Sequence, residues 1–77
     1  MHKPKESPMK VSARNVLKGT ITEIVKGATT SHVRIDIGGG AIVTASITNE
    51  AVADLALEKG KQAYAVIKAS DVMVGID

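Results

Sequence analysis

The 77-residue chain contains no cysteine, no phenylalanine and no tryptophan, and Tyr64 is its only aromatic residue. Without cysteine there can be no disulfide and no thiolate-bound zinc. His2 and His32 are the only imidazoles, too few to build a structural metal cage. A domain of this size buries only about 60% of the surface its unfolded chain exposes, so its own core leaves a thin margin of stability. With aromatics nearly absent, small and branched side chains must build that core. Disulfides and metals being excluded, self-association is the remaining supplement, and the chain is expected to be a homo-oligomer.

Long apolar runs are also missing. No segment approaches the roughly 18 residues of a membrane span, and the lysines near the N-terminus are not followed by the apolar stretch of a secretory signal. No membrane partner is expected, and a cytoplasmic location is the default. The net charge of +2 is confined to one place. Lys3, Lys5 and Lys10 stand against Glu6 in the first ten residues, and from Val11 onward seven basic residues meet seven acidic ones. A neutral body gives no broad basic footprint, so no nucleic-acid partner is expected. Residues 1–10 also hold both prolines, Pro4 and Pro8, and read as a disordered basic tail; residues 11–77 form a single domain.

What the body does contain is β patterning. In Val16–Lys26, Leu17, Gly19 and Ile21 alternate before Ile24 and Val25 shift the phase, which predicts a strand with a bulge near Thr22–Glu23. Gly27–Ser31 reads as a small polar connection. Val33, Ile35 and Ile37 then alternate cleanly with His32, Arg34 and Asp36. Gly38-Gly39-Gly40 is a turn, and Ala41–Ile47 returns as the second arm of a hairpin. Thr48 and Asn49 suit the N-cap of a short helix with Glu50 in its first turn. Val52, Leu55 and Ala56 share one helical face there. Gln62–Lys68 predicts a fourth strand and Asp71–Ile76 a fifth, in which Val72, Val74 and Ile76 alternate. The expected fold is all-β: an OB-like five-stranded Greek-key barrel with one short helix.

Three segments carry a resemblance. Ser12-Ala13-Arg14-Asn15 followed by Leu17-Lys18-Gly19 precedes the first strand, Ile47-Thr48 opens the helix, and Val66-Ile67-Lys68-Ala69-Ser70-Asp71-Val72-Met73 lies near the end. In this order, at these separations and in a domain of this size, they resemble the molybdate-binding Mop (TOBE/Mop) domains, or molbindins. The match spans about residues 11–76. The resemblance implies an OB-like barrel that binds molybdate, and often tungstate, in bacterial cytoplasm, with a role in molybdenum storage or homeostasis. It implies a hexamer built as a trimer of dimers, with the oxyanion sites between subunits. Similar domains are attached to transcription regulators and importer ATPases, and this chain looks like the free-standing version.

Molybdate is a tetrahedral dianion with hard oxygens, so a reversible site supplies hydrogen-bond donors and positive charge. Lys68 offers a compact charge with three donors and Arg14 a planar fork. Ser12, Thr48 and Ser70 offer hydroxyls, and a helix start adds backbone N–H groups. The resemblance implies that Ser12, Arg14, Thr48 and Lys68 contact the anion. Relatives often carry a serine where this chain has Ala51, which leaves only a backbone N–H at that position. A second oxyanion site around a threefold axis is implied as well, at Thr29, Thr30 and Ser31. No metal ion and no organic cofactor are expected beyond the bound oxyanion.

Other readings of these residues are weaker. The triple glycine lacks the GxxxxGK[ST] pattern and joins two strands, so it is a hairpin turn and not a phosphate loop. Glu50, Asp54 and Glu58 line a solvated helix face. Nothing forms a nucleophile–base constellation, so the chain is not expected to be an enzyme. An OB-type nucleic-acid module is the first alternative function, though single-strand binders stack bases on aromatics that this chain lacks. An oxyanion-responsive regulatory or assembly module is the second.

Overall fold

A computed structural model describes residues 13–77. The expected basic tail, residues 1–10, and the candidate ligand Ser12 lie outside the described residues. Four strands form one antiparallel sheet, β1 (Asn15–Lys26), β2 (Thr30–Gly38), β3 (Ala41–Thr48) and β4 (Gln62–Ile67). Between β3 and β4 lies a single helix, α1 (Asn49–Asp54), and a 3-10 turn at Ala69–Asp71 follows β4. The strand order is β3-β2-β1-β4, so β1 is the long central element and β3 and β4 are the edges. The sheet curls, as an OB-like fold requires.

The alternation of the sequence becomes the two faces of this sheet. Ile21, Val33, Ile35 and Ala65 are buried, with Ile24, Ile37, Val43, Ile47, Val52 and Leu57 packed against them. Ile21 pairs with Ile35 and Ile24 with Val33, so β1 and β2 supply the centre of the core. Between them the register slips at Thr22, the bulge that the phase change predicts. Gly19 is required by close packing: a Cβ there would lie 2.5 Å from the Asp36 carbonyl oxygen and 2.7 Å from Ile35 Cγ2. Gly38, Gly39 and Gly40 all have positive φ, and Gly38 donates its N–H to Asp36 Oδ1 at 2.8 Å. Only glycine takes three such residues in succession without steric cost.

Two expectations need correction. The fifth strand does not form within the chain: Lys68 leads into the 3-10 turn, and Val72–Asp77 has no strand partner among the described residues. Its side chains stand in solvent, with Met73, Val74 and Ile76 all more than 90% exposed. Alternation shows that a segment wants an apolar face, but it does not name the strand beside it. The helix is also shorter than its apolar spacing suggests. It ends at Asp54, Leu55 is its C-cap and 63% exposed, and Ala56 has a φ of 52°. The Leu55, Leu57 and Ala56 N–H groups donate to the helix carbonyls of Ala51, Val52 and Ala53, and the Lys61 ammonium donates to the Ala56 carbonyl beyond the helix at 2.8 Å. Leu57, beyond the helix, takes the buried place instead, packed against the core with Val52.

The missing strand leaves a gap. An apolar groove of about 440 Å³ is lined by Val33, Ile35, Ala45, Ile47, Ala63 and Ala65, from β2, β3 and β4. The two edge strands do not pair with each other, so the barrel stays open at this groove.

Candidate oxyanion site

The pairing of β1 with β4 brings two cation-bearing positions to one end of the sheet. Asn15 pairs with Ile67 as the last step of that ladder, and the Asn15 amide donates to the Ile67 carbonyl at 3.2 Å. Arg14 and Lys68 are the next residues beyond this pair, and both are exposed. The only ion pair among the described residues joins Arg34 to Glu23, 3.6 Å apart, so neither Arg14 nor Lys68 has a carboxylate partner there. Ser70 follows within the 3-10 turn, held by an Asp71 N–H to Lys68 carbonyl bond of 2.9 Å. Like charges across a strand pair repel by about 0.2–1 kcal/mol, and an anion between them would reverse the sign.

The remaining candidates gather elsewhere. Thr48 pairs with Thr30, and Ser31 pairs with Lys26, the last residue of β1. Arg14 and Lys68 thus lie at the start of β1, and Thr29, Thr30, Ser31, Thr48 and Ala51 lie near its end. Twelve residues of strand span roughly 36 Å when straight at ~3.3 Å per residue. An anion a few ångströms across does not reach both groups of one chain.

Within the second group, each residue has a distinct position. Thr48 is the N-cap of α1, and its Oγ1 accepts the Ala51 N–H at 3.0 Å. The hydroxyl proton of Thr48 stays available to a ligand, while the Ala51 N–H, the one donor left at that position, is already engaged. The helix has only six residues, so its end carries little of the dipole a longer helix provides. Thr29 and Thr30 are exposed. Ser31 is not available in the same way: it is 2% exposed, and its hydroxyl donates to Asn49 Oδ1. The strand alternation that turns His32 outward turns Ser31 inward.

Asn49 is the residue that sequence reasoning treated only as a possible cap. Its side-chain amide donates to the carbonyls of Gly27 at 3.0 Å and Ala28 at 3.3 Å, and its backbone N–H donates to the Thr29 carbonyl at 2.9 Å. Polar side-chain partners around 20 residues apart leave no local pattern; only the placement of an asparagine directly after a cap residue hinted at it.

Comparisons with known proteins give the family and the fold. The TOBE domain family matches residues 11–74. A probable molybdenum-pterin-binding protein of Haemophilus influenzae is 51% identical over 69 residues, covering 90% of this chain and all of the relative. The solved structure of a molybdate binding protein from Sporomusa ovata superposes with a TM-score of 0.82 at 40% identity, over 88% of this chain and all of that one. The cytoplasmic molybdate-binding protein ModG, solved with molybdate bound, gives a TM-score of 0.85 at 44% identity over 95% of this chain. This chain spans 52% of the ModG chain. These relatives are named for binding, and the chain belongs with them and not with enzymes. Family match, sequence identity and fold agree: the chain belongs to the TOBE domain family and, within it, to the Mop proteins.

Proposed function

We propose that this chain binds molybdate, with tungstate as an alternative occupant, at sites completed by more than one copy of itself, and serves as a cytoplasmic molybdenum store. The observation that supports the reading is that the β1–β4 pairing brings two exposed cations, Arg14 and Lys68, to the same end of the ladder, with no carboxylate partner among the described residues. A dianion is the ligand that converts this repulsive arrangement into a favourable one. Ser70 adds a hydroxyl from the 3-10 turn that follows Lys68, and the resemblance adds Ser12, two residues before Arg14 in the sequence. The donors at the other end of β1, Thr48 with Thr29 and Thr30, complete a site only when a second copy brings them to the first pair. Relatives named for molybdate and molybdenum-pterin binding support the choice of anion, and ModG, described as cytoplasmic, supports the location.

Association has its own support. Five buried side chains among the described residues are a small core for a domain of this length. The open groove beside β3 and β4 is apolar, and the unpaired segment Val72–Ile76 of a second copy would supply apolar side chains to it. A strand added there would pair the free edges and bury Val74 and Ile76. We assign the assembly as a hexamer, a trimer of such dimers. Native mass spectrometry with molybdate, tungstate or sulfate added tests the reading. It expects a six-copy assembly that takes up molybdate and tungstate, and titration calorimetry in the micromolar range or better. A folded protein that gives neither heat nor mass shift at millimolar molybdate overturns it.

A further inference from the structure

The loop between β1 and β2 has an uneven polarity. Its carbonyls at Gly27, Ala28 and Thr29 all accept from Asn49, two from the side-chain amide and one from the backbone N–H. The N–H groups of Ala28 and Thr29 meet no protein acceptor among the described residues. Asn49 is itself fixed from below by the buried Ser31 hydroxyl, which donates to its Oδ1. The loop is closed by a Gly27 N–H to Thr30 carbonyl bond of 2.8 Å, so tight that a Cβ on Gly27 would meet that carbonyl oxygen at 2.8 Å. The carbonyl lone pairs of this loop are therefore drawn in toward α1, while two free N–H groups and the Thr29 and Thr30 hydroxyls stay at the surface. For a ligand made of oxygens, removing carbonyls from the approach matters as much as supplying donors.

We propose that Asn49 is the positioning residue of the oxyanion site, holding the Gly27–Thr30 loop with its acceptors inward and its donors outward. Asn49 does not touch the anion; it acts through the loop. Through the backbone it also ties this loop to Thr48, the neighbouring residue in sequence and the register partner of Thr30. The two hydroxyl-bearing segments thereby move as one unit, so disturbing either lowers the affinity of both. This inference rests on the oxyanion reading above.

The test pairs ligand binding with a readout that needs no ligand. Asn49→Ala and the milder Asn49→Ser are compared with Ser31→Ala, all checked for secondary structure and assembly mass. Amide hydrogen exchange of residues 27–31 is followed without anion, and molybdate affinity and stoichiometry are followed by calorimetry and native mass spectrometry. Both Asn49 variants are expected to speed exchange in the loop and to weaken molybdate binding by tenfold or more. Ser31→Ala, which removes the bond that fixes Asn49 Oδ1 but leaves the carbonyl bonds in place, should lower the melting temperature and should change loop exchange and affinity in the same direction as the Asn49 variants, but by less. Should Asn49→Ala not assemble, Asn49→Ser carries the comparison, and Gly27→Ala disturbs the same loop from the opposite side. Assembled Asn49 variants with unchanged loop exchange, or with wild-type affinity, overturn the proposal. A wild-type protein that ignores molybdate overturns the function reading instead, and the exchange data still decide whether Asn49 holds the loop.

Discussion

Arg14 and Lys68 are the residues immediately beyond the Asn15–Ile67 pair, so the β1–β4 ladder ends with a cation on each strand. Such an arrangement costs stability while empty and returns it when filled. Lys68→Ala and Arg14→Ala should each weaken molybdate binding by at least tenfold, about 1.4 kcal/mol or more. Without ligand, the melting temperature of either variant should stay level or rise slightly, as cross-strand repulsion worth about 0.2–1 kcal/mol is relieved. Calorimetry and thermal melts with and without molybdate check both halves.

Thr48 has two tasks, and a pair of substitutions separates them. Thr48→Ala removes the cap acceptor of the Ala51 N–H and should cost about 0.5–2 kcal/mol of stability. It should also weaken molybdate binding, whereas Thr48→Ser, which keeps the hydroxyl, should retain both properties. Urea unfolding and anion titration of the two variants provide the measurement.

Gly19 faces the Asp36 backbone and the buried Ile35 side chain. A Cβ at 2.5 Å from the Asp36 carbonyl oxygen has nowhere to go without moving β2. Gly19→Ala should destabilise by about 1–3 kcal/mol, in the range of overpacked cores. The shift in urea midpoint reads it directly, and a neutral result would mean that β1 and β2 separate at this point more easily than their register implies.

The exposed C-terminal segment gives a prediction about assembly. Val74→Asp or Ile76→Asp places a charge where a partner's groove would take an apolar side chain. Either variant should shift the protein toward monomer in size-exclusion chromatography with light scattering. Met73→Asp, one residue out of phase with Val72, Val74 and Ile76, should disturb assembly less.

How much of this was legible beforehand depended on the range of the interactions concerned. The β2–β3 hairpin and the bulge at Thr22 follow from alternation and its interruption, and both are present. The fifth strand failed because alternation in Val72–Ile76 marks a face without saying which chain supplies the neighbour. Leu55 and Ala56 were assigned to the helix on spacing alone, and the turn to positive φ at Ala56 overrode that spacing. Ser31 and Asn49 were beyond reach for a different reason. Their hydrogen bond joins residues 18 apart, and only the folded register turns Ser31 inward to make it. The charges at Arg14 and Lys68 were readable as donors, but their adjacency required the β1–β4 pairing.

The open barrel sets a thermodynamic order as well as a shape. A chain whose apolar segment finds its groove only on another copy gains part of its folding free energy from a second-order event. Its melting temperature should therefore climb with protein concentration, in the manner of any fold stabilised by mass action. On the proposed assembly, abundance itself becomes a determinant of whether this protein is folded.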